Sequence, residues 1–134
     1  DRVRWANTTF DVRGVGFDEW QANYLAQRLD PEGTGEIPME QFPHQVRTMS
    51  DPMKEIEARV VSRQFWHDGN DALTWMVGNT TARQDAKENH YPTKSNPNDP
   101  RCKIDGVVAL IMAMGLASRE RESGSLDDWL TDNE

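Results

Sequence analysis

The segment from Arg101 to Gly115 constrains the chain most. Residues 104–117 are apolar almost without interruption, and one carboxylate, Asp105, stands at their head. A helix apolar on all sides is expected to be enclosed by other elements rather than to lie on the surface. Asp105 would then occupy the first turn of a buried helix, where the N-terminal end of the helix dipole stabilises negative charge. A carboxylate held there suits a metal ligand or an anionic catalytic group. The longest unbroken apolar run, Val107 to Met114, is also far short of the roughly 20 apolar residues that a membrane span requires.

A second acid, Asp18, has a comparable setting. Phe10, Val12, Val15 and Phe17, with Gly14 and Gly16 among them, predict a short buried strand that ends at Asp18. Trp20, Tyr24, Leu25 and Leu29 then recur at helical spacing, with Asp18 placed as the N-cap. Strand, acid, helix is the order in which α/β proteins present chemistry at strand C-terminal ends. A plain helix cap also explains Asp18, and from the residues alone both readings stand.

Residues 30–35 form a turn, and residues 36–42 a second strand, which Pro38 places at a sheet edge. The turn resembles a calcium-binding EF-hand loop, with Asp30, Glu32, Thr34 and Gly35 at the first, third, fifth and sixth positions. Position twelve is Gln41, which cannot offer a bidentate carboxylate.

Ser50-Asp51-Pro52 predicts a helix start, and Met53, Ile56, Val60 and Val61 form the apolar stripe of a helix reaching about Gln64. A turn at 67–70 precedes a shorter helix over 72–78, and His67 is expected to cap or bond that loop. Residues 80–84 and 89–93 read as a β-hairpin. Lys94, Arg101 and Lys103 follow in a polar loop just before Asp105. Cations beside an acid suit a site for a phosphodiester, the cations holding phosphate and the acid holding metal. A merely solvated loop accounts for the same residues.

The net charge of −8 does not exclude nucleic acid, because phosphate contact depends on a local basic stripe. Residues 118–134 carry six acids against two arginines, and so hold half of the net charge. They are expected to form a flexible acidic tail after a body spanning 1–117, with Leu126, Trp129 and Leu130 able to dock on a partner. The lone Cys102 excludes an internal disulfide and a zinc finger, and fits a reducing cytoplasm.

Several short motifs follow one another in a familiar order: Phe17-Asp-Glu-Trp20, Met49-Ser-Asp-Pro-Met-Lys-Glu55, His67-Asp-Gly-Asn70, Leu73-Thr-Trp-Met76, Asn79, and Lys103-Ile-Asp-Gly-Val-Val-Ala-Leu-Ile-Met-Ala113. In this order they resemble the large terminase subunits of tailed bacteriophages, over residues 11–117. The resemblance implies the C-terminal part of the DNA-packaging nuclease domain, an α/β domain with the ribonuclease H-like fold. Three acids of that domain bind two divalent metals. Asp18 matches the second acid and Asp105 the third; the first is expected upstream, so the domain is expected to be truncated at its N-terminal strands. No GxxxxGK[ST] phosphate loop of an ATPase motor occurs in the chain.

The implied activity is hydrolysis of concatemeric viral DNA by two Mg²⁺ or Mn²⁺ ions, one activating water and the other stabilising the leaving oxygen. Asp18 and Asp105 would be metal ligands, and Lys94, Arg101 and Lys103 would contact backbone phosphate. Double-stranded DNA, the portal protein and the small terminase subunit are the implied partners, with no membrane. The implied location is the host bacterial cytoplasm, from a phage or prophage gene. Two readings from other classes remain: a non-catalytic DNA or portal interaction module, and a calcium-binding protein built on the Asp30 loop.

Overall fold

A computed structural model describes residues 2–131 in backbone, and their side chains apart from those of Glu19, Gln21 and residues 122–131. The chain divides into two compact units, one ending at His44 and one starting at Gln45.

The first unit contains α1 (Arg2–Thr9), β1 (Val15–Phe17), α2 (Glu19–Leu29) and β2 (Met39–Gln41). β1 and β2 pair in parallel, Val15 opposite Met39 and Phe17 opposite Gln41. A parallel pair needs a crossover connection, and α2 supplies it. Pro38 has no N–H to give, but its carbonyl accepts from Val15 N at 2.8 Å, so the proline starts the pairing without breaking it. At the other end Phe42 N donates to Phe17 O at 2.9 Å. Ala26, Leu29, Ile37 and Phe42 are buried. The side chain of Arg4 donates to the carbonyl of Arg28 at 2.9 Å, which ties α1 to the electronegative end of α2.

Two expectations for this unit are corrected. The strand expected from Phe10 is confined to its last three residues. Phe10 N instead donates to Ala6 O at 2.9 Å, prolonging α1, and its ring meets Trp5 edge-on at 5.7 Å. On α2 only Leu29 of the expected stripe is buried; Trp20, Tyr24 and Leu25 are exposed. Ala26, three residues before Leu29, completes the face that packs, while the guanidinium of Arg28 lies 5.9 Å from the centre of the Tyr24 ring. Helical spacing identified a stripe but not which side of the helix would meet the strands.

The second unit contains α3 (Val46–Val61), α4 (Asp71–Gly78), β3 (Thr80–Gln84), β4 (His90–Lys94) and α5 (Asp105–Thr131). β3 and β4 form the expected antiparallel hairpin, Thr80 opposite Lys94 and Gln84 opposite His90. Its turn is organised by Asp85, whose Oδ1 accepts from Lys87 N and Asn89 N and whose Oδ2 accepts from the Asn89 side chain. α3 packs on α5 and on β4, and α4 packs on α5. Met49, Ser50, Pro52, Pro92, Ile111, Met112 and Leu116 are buried among these elements.

α3 begins at Val46, six residues before the expected first helical residue, Pro52, which therefore lies inside the helix. Gln45 caps it: Gln45 N donates to Thr48 Oγ1, and that hydroxyl donates back to Gln45 O. Pro52 cannot bond to the carbonyl four residues back, yet it is buried in the packed face with Met49, and that burial outweighs the missing bond. α4 starts as expected, with Asn70 Oδ1 accepting from Ala72 N and Leu73 N. His67 Nδ1 accepts from Gly69 N at 3.0 Å, bonding its own loop.

α5 is not enclosed on every side. Ile111, Met112 and Leu116 are buried, while Ala109, Ala113 and Ala117 at four-residue spacing form an exposed row. The helix runs through the boundary expected at residue 118 and on to Thr131. The side chains of Leu126, Trp129 and Leu130, and residues 132–134, lie outside what is described. Among the described residues no helix is long and apolar enough to cross a membrane.

Candidate functional site

In the first unit the site begins where β1 ends. Asp18 follows Phe17, the last residue of β1, and its Oδ1 accepts from Trp20 N at 3.1 Å, capping α2. The cap bond does not use the other oxygen. Oδ2 lies 4.0 Å from Nδ1 of His44, and the side chains of Asp18 and His44 are 15% and 30% exposed. His44 comes three residues after the end of β2, the parallel neighbour of β1. Both groups therefore stand at the C-terminal edge of one parallel pair, where α/β sheets place ligands. Asp18 is a cap and a half-buried carboxylate with one oxygen left over, so the two readings of it are compatible.

In the second unit Asp105 is the first residue of α5, but it is exposed, not buried as expected. Its carboxylate makes no hydrogen bond or ion pair to a described residue. The start of α5 is instead held by its neighbours. Gly106 N lies 3.0 Å from Sδ of Met76, and a Cβ at Gly106 would come within 2.8 Å of that sulfur, so glycine permits α4 and α5 to approach there.

Asn79 organises the surrounding backbone. Its own N–H closes α4 on Met76 O and Trp75 O. Its carbonyl accepts from Ser95 N at 2.8 Å, and its side chain donates to Lys103 O at 3.1 Å. The Cys102 thiol also donates to the Asn79 carbonyl at 3.6 Å. One residue thus joins the end of β4 to the start of α5, and Lys94, Lys103 and Asp105 flank the join.

The three basic residues differ. Lys94 is the last residue of β4, not part of a loop as expected, and is half-buried; Lys103 is exposed. Arg101 is committed to Asp99: its Nε and Nη2 donate to the two carboxylate oxygens at 3.1 and 3.0 Å, and its backbone N donates to Oδ1 at 2.9 Å. That fork holds the Asp99 carboxyl below its ordinary range and raises the guanidinium. Arg101 therefore carries no unmatched charge at rest.

Asp18 belongs to the first unit, and Asp105, Lys94, Arg101 and Lys103 to the second. Among the described residues no three of His, Cys, Asp and Glu cluster as a metal site. The donors themselves fit a hard divalent cation: each acid leaves carboxylate oxygen free of hydrogen bonds to described residues. The Asp30 loop differs in this respect. Its Oδ1 accepts from Thr34 N and Thr34 Oγ1, and its Oδ2 from Gly35 N, which lowers the carboxyl below its ordinary value.

His44 and Asn79 were not assigned roles from the sequence. His44 could be found only by knowing that β1 and β2 are parallel neighbours, since nothing local marks it. Asn79 had a local signal, a polar residue directly after the helix that ends in Gly78.

Known proteins resemble this chain over most of its length. Protein YmfN of Escherichia coli (strain K12) is 34% identical over 128 residues, covering 96% of this chain and 27% of that protein. The terminase large subunit of Enterobacteria phage HK97 is 26% identical over 123 residues, covering 90% of this chain and 24% of the relative. The crystal structure of the HK97 bacteriophage large terminase superposes with a TM-score of 0.73 at 23% identity, over 86% of this chain and 23% of that one, and so shares the mixed α/β fold. The chain spans about a quarter of the length of these relatives. The family of the terminase large subunit, endonuclease domain, matches residues 1–122, and the chain belongs to it.

Proposed function

We propose that the chain supplies two of the three metal-binding acids of a phage DNA-packaging endonuclease, within the C-terminal part of a ribonuclease H-like domain. The observation that carries this reading is the position of Asp18: a half-buried carboxylate at the C-terminal end of a parallel strand, with Oδ2 unused by its cap bond, in a chain of the endonuclease-domain family. Asp105, with a carboxylate open to solvent at the start of α5, is the second ligand.

Asp18 and Asp105 would hold Mg²⁺ or Mn²⁺, whose chemistry when bound is to activate water and to stabilise the leaving oxygen of the phosphodiester. The chain's own residues do the positioning. The Trp20 N–H fixes the rotation of the Asp18 carboxylate, and the Asn79 bonds hold the backbone that leads into Asp105. Lys94 and Lys103 supply phosphate contacts, and Arg101 joins them when phosphate displaces Asp99. Concatemeric double-stranded viral DNA is the substrate, the portal protein and small terminase subunit are the partners, and the host bacterial cytoplasm is the location, from a phage or prophage gene.

The test uses the full-length protein that contains these residues. Asp18→Ala and Asp105→Ala are each expected to abolish Mn²⁺-dependent cleavage of plasmid DNA while circular dichroism stays that of the parent. Full nuclease activity in either variant would overturn the assignment of that acid.

A further inference from the structure

Resting on the reading of Asp18 as a metal ligand, we infer that His44 is a nitrogen ligand of the same ion, and that it biases the site towards Mn²⁺ over Mg²⁺. Three observations lead to this. Asp18 and His44 leave the C-terminal ends of adjacent parallel strands, β1 and β2, so the sheet itself brings them together across 26 residues of sequence. The oxygen that faces Nδ1 of His44 is Oδ2, the one the helix cap does not use. Neither ring nitrogen of His44 makes a hydrogen bond to a described residue.

A separation of 4.0 Å between Nδ1 and Oδ2 is too long for a hydrogen bond. It leaves room for a third atom held by both. Nδ1, which makes no hydrogen bond to a described residue and faces a carboxylate oxygen, is the nitrogen free to take an ion there. Nδ1 of His44 shares the ion that Asp18 binds. Imidazole is a softer donor than carboxylate; Mg²⁺ favours oxygen shells, whereas later divalent metals accept nitrogen more readily. Replacing one oxygen donor by His44 therefore shifts the preference of the site from Mg²⁺ towards Mn²⁺.

The experiment is pulsed electron paramagnetic resonance of Mn²⁺ bound to the full-length protein that contains these residues, with calorimetric titration of Mn²⁺ and of Mg²⁺ in parallel. The parent is expected to show ¹⁴N modulation of the Mn²⁺ echo, and His44→Gln to lose it. His44→Gln should also bind Mn²⁺ on the order of 10-fold more weakly, with Mg²⁺ affected less, while His67→Gln changes neither. Mn²⁺ bound by the parent without ¹⁴N modulation would overturn the role of His44 and leave that of Asp18 standing. Failure of the parent to bind Mn²⁺, or Mn²⁺ affinity unchanged in Asp18→Asn, would overturn both. The parent spectrum decides the ligand question even if a His44 variant does not fold.

Discussion

The side-chain amide of Asn79 donates to the carbonyl of Lys103 at 3.1 Å, two residues before Asp105, while the carbonyl of Asn79 accepts from Ser95 N at 2.8 Å. A residue that ends one helix thereby sets where another begins. Asn79→Ala is expected to cost about 1 kcal/mol, the net worth of one hydrogen bond, and Asn79→Asp about as much, because Asp lacks the donor. Urea denaturation measures both; a loss in the Ala variant alone would show that the amide donor is not what matters.

Arg101 is matched by Asp99 through the two-pronged fork at 3.1 and 3.0 Å. Lys103→Ala and Lys94→Ala are each expected to flatten the slope of log affinity for duplex DNA against log salt by about 0.9, one phosphate contact apiece. Asp99→Asn frees the guanidinium and should tighten DNA binding. Salt-dependent fluorescence anisotropy reads all three, and weaker binding by Asp99→Asn would contradict the account of Arg101.

Asp30, Asp85 and Asp99 all have carboxyls lowered from 3.8, Asp30 chiefly by the Gly35 N–H, Asp85 by the Asn89 side chain and Asp99 by Arg101. A carboxyl lowered by folding adds stability that is present above its unfolded value and is lost as pH falls through its folded value. The stability gap between the parent and Asp85→Ala should therefore be constant above about pH 5 and close progressively below the ordinary 3.8. Thermal unfolding across pH 2 to 7 follows it; a gap that widens in acid would reverse the assignment.

Met49 is fully enclosed, and Ser50 Oγ accepts from His90 N at 3.1 Å with Ser50 only 1% exposed. Met49→Ala is expected to cost about 2–5 kcal/mol from lost burial and the cavity left behind. Ser50→Ala should cost about 1–3 kcal/mol, because it leaves the His90 N–H without its acceptor. Denaturant midpoints compare them, and a Ser50→Ala change near zero would mean that the amide finds another partner.

The chain alone supplies two of the three acids proposed for the nuclease. Purified as it stands, it is expected not to nick plasmid with Mn²⁺. Robust nicking that is lost in Asp105→Ala would show that a third ligand lies within these residues.

Local chemistry accounts for what could be read without tertiary information. The cap at Asp18, the Asn70 start of α4, the hairpin of β3 and β4 and the helix beginning at Asp105 are each specified by residues within a few positions of one another. The readings that failed depended on distant contacts. Asp51-Pro52 has the form of a helix start, yet α3 begins at Val46 because Met49 and Pro52 pack inward. Trp20 and Tyr24 keep helical spacing on the side of α2 that faces solvent.

By itself, then, the sequence determined most of the elements and the family, and singled out Asp18 and Asp105 as candidates, because capping, turn chemistry and hydrophobic period act over spans of a few residues. The tertiary structure decided which side chains those elements bring together. A parallel pair joins residues far apart in the chain through backbone bonds that carry no side-chain signature, so only the pairing of β1 with β2 reveals His44 beside Asp18. The same holds for Arg101, whose charge is evident in the sequence and whose neutralisation by Asp99 is a matter of side-chain geometry.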